Sequence, residues 1–413
     1  MTVEEIFGKM LNEKYYTARE LKYDTDPGLF VTPFQYKQLL EYIDSLINKN
    51  EEVIGLNLGT FNTYKLHFAS CNELLDKSND YISLVIDDVV KNDSWLYFRN
   101  IDAITKSRIF SEIEGSLNIE SVPTTRKLLN DIIFKKRKPV NNNEQIILNM
   151  SKAIEYVNKC PDFNKENLFE LYSLLSMNCL DEEDKLKEGD YYRYDDVEID
   201  DYNGCPYEKV ESRMDSLFEF VKQNLKNNKI KYLLPHIAHY YILYIHPYFD
   251  LNGRTARMVS YWIFLLLDQH AFPPVISEAI NQTKNEYYAA LRETRNSHND
   301  LTYFLLYIFN VSIKYFLTYK NVESIDKRLK DKSFVLSELD KVYIKKILIS
   351  AKGKFTYEDF VKWINAEISK QGAFKILNTL EGYGILNSEI NKSNKKLFEV
   401  NKKMIRFKNK NYL

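Results

Sequence analysis

The sequence predicts a mostly α-helical chain with a small α+β unit near its C-terminal end, and three observations lead there. Only 12 glycines and 10 prolines occur in 413 residues, so strong breakers are sparse and long helices are permitted. Apolar residues recur at helical spacing over Ile101 to Ile113, Asn143 to Val157, Lys165 to Met177, Glu208 to Leu225, Tyr232 to Ile245, Arg254 to Leu267, Lys284 to Thr294 and Leu301 to Tyr319. Strand-like segments are short and confined to two places, one inside the helical stretch and one near the end.

Residues 1–100 mix a turn at Thr25 to Gly28 with an amphipathic stretch at Phe34 to Ile47 and hold no chemical motif. Within the helical body, Tyr191 to Ile199 is β-prone and is followed by Asn203-Gly204, which predicts a short hairpin packed on helices. After Lys320 a polar connection, Glu323 to Lys332, leads to three short helices at Ser337 to Ile349, Tyr357 to Ile364 and Ser369 to Glu381. Gly382 and Gly384 break the pattern, and strands at Ile385 to Glu389 and Lys396 to Val400 flank the turn Asn391 to Asn394. Three helices and a hairpin look like a winged helix-turn-helix. The expected division is 1–100, 101–320 and 333–413.

Length favours two to three units, each able to bury a core. Lys and Arg number 57 against 58 Asp and Glu, a formal net charge of -1, so no global field draws the chain to nucleic acid or membrane. A local excess exists from Glu389 to Leu413, where eight Lys and Arg meet two Glu. Neither an apolar run of about 18 residues nor a signal-peptide core is present, so a cytoplasmic protein without membrane attachment is expected. Cys71, Cys160, Cys179 and Cys205 lack the spacing of a zinc site or a disulfide scaffold and read as reduced structural thiols.

The chemistry concentrates in His246-Pro247-Tyr248-Phe249-Asp250-Leu251-Asn252-Gly253-Arg254-Thr255-Ala256-Arg257, between two apolar helices. Pro247 disfavours the α conformation at His246, so the helix should stop there and present the imidazole as a general base. Asp250 offers a hard oxygen ligand for Mg²⁺. Asn252-Gly253 permits a tight backbone just before a helix start, where free N–H groups converge on an anion. Arg254 and Arg257, three apart, share a helix face and suit phosphate oxygens. His236 and His239, upstream, lack carboxylate or thiolate partners at ligand spacing and predict no metal site.

This string resembles the Fic family pattern H-P-F-x-D/E-G-N-G-R-x-x-R, and the likeness extends over roughly residues 100–320. It departs from it at Tyr248, where Phe is usual, and at Leu251, where Gly is usual. The resemblance implies an all-α core with a β-hairpin flap and transfer of AMP from ATP, with Mg²⁺, to a Tyr, Ser or Thr hydroxyl of a target protein or of the chain itself. By the same resemblance His246 is the base, Asp250 the Mg²⁺ ligand, Asn252 and Gly253 part of the anion hole, and Arg254 and Arg257 the β- and γ-phosphate ligands. Gly253 separates the chain from the phosphate-transferring Doc-like branch, which has Lys there. Tyr192, Tyr194, Val197 and Ile199 resemble the flap that holds a target segment by strand addition. Tyr287 and Tyr288 resemble the aromatic position that packs on adenine, Tyr288 being the choice, with helix core as the other reading.

Ser107 to Glu120 resembles the family's inhibitory motif, S/T-x-x-x-E-G/N, with Glu114-Gly115 as its end and Phe110 standing where Ser or Thr is usual. The resemblance implies that Glu114 holds Arg257 and blocks the γ-phosphate, or positions water for AMP removal. Read from the residues alone, Gly115 caps the helix at its C-terminus. The basic C-terminal unit keeps a second function in view, a DNA-binding regulator. Homodimerisation is left open.

Overall fold

The computed structural model describes residues 1–23, 29–91, 103–199, 202–267, 276–364 and 368–406, without the side chains of 85–91, 103–108 and 338. The predicted turn at Thr25 to Gly28, the start of the Ile101 to Ile113 stretch and the last basic residues beyond Arg406 lie outside these ranges. The fold class is as expected: mostly helical, with three two-stranded antiparallel sheets among the described residues.

Helices α1 (Val3–Asn12), α2 (Ala18–Tyr23) and α3 (Pro33–Leu46) open the chain. Capping boxes at Thr2/Glu5 and Thr32/Gln35 each satisfy two N–H groups at the starts of α1 and α3. Strands β1 (Val53–Gly55) and β2 (His67–Ala69) pair, and α4 (Asn72–Lys91) follows. This region packs on the later helices: Tyr15 Oη donates to Asp300 Oδ2 at 2.5 Å, and Leu301 N donates to His67 O at 2.8 Å. Met1–Ser312 accordingly forms one compact unit and Ile313–Leu413 a second.

Next come α5 (Ala103–Ile119), α6 (Arg126–Leu129), α7 (Asn142–Val157) and α8 (Lys165–Ser176), the last two N-capped by Asn141 and Asn164. The expected stop at Gly115 does not occur, and α5 runs on to Ile119. A Cβ on Gly115 would lie 2.4 Å from Glu278 N and 2.5 Å from the Ser277 carbonyl carbon. Gly115 is therefore where α5 presses on a neighbouring backbone, which only a residue without a side chain allows.

The hairpin is smaller than predicted: β3 (Glu198–Ile199) pairs with β4 (Tyr202–Asn203), while 191–197 form bends and irregular chain. Asn203 lies in the second strand, so Asn203-Gly204 is not the turn. Helices α9 (Tyr207–Asn224), α10 (Leu234–Ile245), α11 (Asn252–Leu267), α12 (Ile276–Gln282), α13 (Lys284–Asn296) and α14 (Thr302–Lys330) complete the helical order. The predicted polar connection from Glu323 is mostly helix. Val322, Ile325 and Leu329 keep an apolar stripe at helical spacing, and Asp326 pairs with Lys330 at 2.9 Å.

In the second unit, α15 (Glu338–Ser350), α16 (Tyr357–Ile364) and α17 (Lys370–Gly382) precede β5 (Leu386–Ile390) and β6 (Lys396–Val400). The strands pair from Leu386↔Val400 to Ile390↔Lys396, and Phe355 bridges to Phe398. Phe360, Leu377, Leu380, Ile385 and Phe398 form its core. The order is that read from the sequence. Among the described residues no helix is long and apolar enough to cross a membrane.

Candidate active site

Helix α10 ends at His246, whose left-handed backbone (φ 56°, ψ 64°) turns the chain into Pro247. The six-residue link to α11 is closed by Asn252: its Nδ2 donates to Tyr248 O at 2.8 Å and its Oδ1 accepts from Tyr248 N at 3.0 Å. The Asn252 side chain is thus spent on holding the loop, and what it brings to an anion hole is its place at the helix start. Leu251 adopts φ 70°, the left-handed region that the family's usual glycine reaches without strain. Its buried side chain anchors the loop instead. Tyr248 stacks on Tyr172 at 3.8 Å, but its buried hydroxyl has no hydrogen-bond partner, the cost of replacing phenylalanine there.

Burial, with the charge of Arg193 adding to it, pushes the His246 imidazole down to about 4. It is neutral at pH 7, and its buried Nδ1 has no partner. Arg254, 8 % exposed, has Nη2 at 3.5 Å from Asp250 Oδ2, while its Nη1 is buried without a partner. A guanidinium nitrogen left this way is one that an incoming oxyanion would satisfy. Asp250 accepts from Leu251 N at 2.6 Å and is otherwise half-exposed.

Arg257 is buried and engaged through Nε and Nη2. Its Nε donates to Ser116 Oγ at 3.0 Å, and its Nη2 donates to Glu120 Oε1 at 2.7 Å and to Ser116 O at 3.3 Å. The expected partner, Glu114, is elsewhere, 3.6 Å from Arg126 Nε. The signal for Glu120 was present: Ser116-Leu117-Asn118-Ile119-Glu120 has the S-x-x-x-E spacing, followed by Ser121 instead of Gly or Asn. Gly115 follows Glu114 as glycine follows glutamate in the motif, but in the structure it lets α5 pack against the Ser277–Glu278 backbone.

The Glu120 carboxylate sits on the first turn of α11: its Oε1 is 2.6 Å from where a Cβ on Gly253 would lie. Burial alone would raise this carboxyl, but the charge and hydrogen bond of Arg257, joined by Arg254 and Lys284, hold it below the usual range. A helix start with free N–H groups and two guanidinium groups is an anion site, and here the chain fills it with its own anion.

Other predicted residues separate. Tyr287 is buried, with its hydroxyl 2.8 Å from His239 Nε2, whereas Tyr288 is 38 % exposed, which suits it better to an external ring. His236 is buried edge-on to Tyr81 and Phe309. In the flap, Tyr192 is buried beside Tyr248 and so belongs to the core, not to a surface that grips a target. Tyr194 lies edge-on to Phe249 at 4.9 Å, and Val197 and Ile199 are half-buried. Arg193, which the sequence reading passed over, is buried between hairpin and loop.

A neutral imidazole at a helix end, a helix start and two buried arginines thus stand together on a mostly helical scaffold, an arrangement chemically suited to phosphate oxygens. Residues 162–264, about a quarter of the chain, match the model of the Fic/DOC family, so this stretch carries a Fic domain. It is 26 % identical over 215 residues to Protein adenylyltransferase Fic of Nematostella vectensis, covering 49 % of this chain and 47 % of that one. With Protein adenylyltransferase fic-1 of Caenorhabditis elegans it shares 40 % identity over 72 residues, 17 % of this chain and 13 % of that one. The chain thus spans about half the length of the first relative and much less of the second. Among solved structures, a Fic family protein from Desulfovibrio desulfuricans G20 is 16 % identical with TM-score 0.49, over 80 % of this chain and 96 % of that one.

Proposed function

We propose that this protein transfers AMP from ATP to a Tyr, Ser or Thr hydroxyl of a target protein, and of itself, and that Glu120 restrains the reaction. The observation that carries the reading is Glu120 seated on the α11 start against Arg257, an internal anion where a terminal phosphate would go. In the transfer, neutral His246 takes the proton from the attacking hydroxyl. The hydroxyl oxygen bonds to the α-phosphorus of ATP, the bond from that phosphorus to the bridging oxygen breaks, and pyrophosphate leaves. Arg254 and Arg257, with the N–H groups at the helix start, hold the β- and γ-phosphates. Asp250, half-exposed with oxygen lone pairs to spare, fits a Mg²⁺ ion, which would neutralise phosphate charge. Tyr288 faces the adenine, and Tyr194, Val197 and Ile199 flank the target segment. The reading keeps the expectation of a cytoplasmic enzyme.

The test incubates wild type, Glu120→Gly and Glu120→Gly/His246→Ala with each of the four nucleoside triphosphates and weighs the intact proteins. An added AMP with ATP in Glu120→Gly, absent from the double variant, is expected. No added mass in Glu120→Gly would overturn the reading, and loss of AMP from a pre-modified protein would redirect it to AMP removal.

A specific observation favours a second role for the C-terminal unit. Residues 313–413 hold 22 Lys and Arg against 11 Asp and Glu, a surplus of +11 that leaves -12 on residues 1–312. Helix α17 exposes Lys370, Gln371, Lys375, Asn378 and Thr379, and the β5–β6 turn exposes Lys392 and Lys395. Basic and amide side chains on one helix beside a basic hairpin suit duplex DNA. Binding to a labelled duplex that weakens steeply with salt, and weakens in Lys375→Glu/Lys392→Glu, is expected; salt-independent or unchanged binding would remove this role.

A further inference from the structure

We infer that Arg193 is a positioning residue that fastens the hairpin segment to the backbone of the catalytic loop, an inference that rests on the transfer reading above. Its side chain is wholly buried. Nε donates to His246 O at 2.7 Å, Nη1 to Asp195 O at 2.6 Å and Nη2 to Cys205 O, while its backbone N donates to Pro247 O at 3.0 Å. Two of these acceptors belong to the catalytic loop, and two flank the hairpin β3–β4 on either side. One guanidinium thus ties both arms of the β3–β4 hairpin to the loop after α10, a link that no helix or sheet supplies.

The need for it follows from the loop. His246 occupies the left-handed region, which a residue with a Cβ adopts reluctantly, and its carbonyl at the end of α10 lacks a helical donor. Arg193 supplies that donor and so helps hold the backbone from which the imidazole projects. The hairpin has a second tie to the same helix end, since Tyr202 Oη donates to Leu243 O at 3.3 Å. A target strand added to the hairpin therefore presses on a body to which His246 is attached.

The residue type fits the task. The guanidinium carries five N–H donors in a planar fork and reaches three carbonyls in different directions, whereas an ammonium on a flexible stem supplies a compact charge. The nearest carboxylate is Asp196, its Oδ1 3.8 Å from Nη1 and itself accepting from Tyr207 N at 2.9 Å. Burying a cation chiefly among carbonyls is a poor route to stability alone, because a packed apolar side chain would avoid the desolvation. The arrangement makes sense as a fixing of geometry.

The test uses the full chain in the Glu120→Gly background, adding Arg193→Lys or Arg193→Met, and reads kcat, KM for ATP and hydrogen exchange. A positioning role predicts kcat reduced by about a hundredfold in Arg193→Met with KM for ATP nearly unchanged, since a misplacement of about 1 Å costs that much. Arg193→Lys should fall between. Exchange should accelerate together in residues 195–205 and 246–251 while α11 keeps its protection. Unchanged kcat in both variants, or faster exchange in 195–205 with 246–251 as slow as in the parent, would overturn the inference. A parent that transfers no AMP defeats the transfer reading, and the exchange pattern still decides the fastening. Should Arg193→Met fail to fold, Arg193→Lys carries the same readouts.

Discussion

Replacing Glu120 with glycine should raise the apparent affinity for ATP by roughly ten- to thirtyfold. Glu120 contributes a charge-assisted hydrogen bond of 2.7 Å to a guanidinium that is 2 % exposed, while its own side chain is 32 % exposed. Hydrogen bonds to charged groups contribute about 1.5–3 kcal/mol net, and the carboxylate's partial exposure selects the lower part of that range. At about 1.4 kcal/mol per tenfold, displacing such a bond costs a triphosphate about one to one and a half decades of affinity. Arg257 would stay folded in the variant, because Ser116 still accepts from it twice. Calorimetry with a non-hydrolysable ATP analogue on wild type, Glu120→Gly and Glu114→Gly measures the difference. The Glu114 variant should behave like wild type, since that carboxylate faces Arg126 across a partly exposed gap. Equal affinity in all three proteins, or a gain in the Glu114 variant alone, would refute the assignment. The sign with pH follows: Glu120 is held below its ordinary carboxylate value, so the restraint is complete above about 4.5 and is lost as pH falls through the depressed folded value.

Three further outcomes are expected. Gly115→Leu should destabilise by about 1–3 kcal/mol in denaturant unfolding, because its side chain meets the Ser277–Glu278 backbone, and it should raise self-labelling by dislodging α5; unchanged stability would show that the helices part freely. Leu251→Gly, although it restores the family's usual residue, should destabilise by about 1 kcal/mol: losing about 1.5–3 kcal/mol of side-chain burial outweighs the roughly 1–2 kcal/mol of left-handed strain relieved, and a stabilised variant would reverse that ranking. Thermal stability should fall as pH drops from 6.5 towards 4, because burial depresses His246 to about 4 and His236 to about 3, so the unfolded chain binds protons that the folded one refuses; a flat melting temperature over that range would contradict the burial argument.

The string from His246 to Arg257 was legible in the sequence because its parts lie within twelve residues, where covalent geometry alone brings them together. Pro247 and a helix start after Leu251 leave little choice about where His246, Arg254 and Arg257 stand. The helical class and the order of three helices and a hairpin in the C-terminal unit were legible for the same reason, since periodicity and turn chemistry are local. Which glutamate meets Arg257 was not. Glu114 and Glu120 are six residues apart on and just beyond one helix, about 9 Å along its axis and on different faces. The docking of α5, closed up at Gly115, decides which of them reaches an arginine 137 residues away. Ser116 and Glu120, four apart, then arrive on the same side. Arg193 and Tyr192 belong with that case: neighbours in a polar, aromatic segment, they are buried by folding against residues about 50 positions away, and only tertiary packing could assign one to the loop backbone and the other to the core.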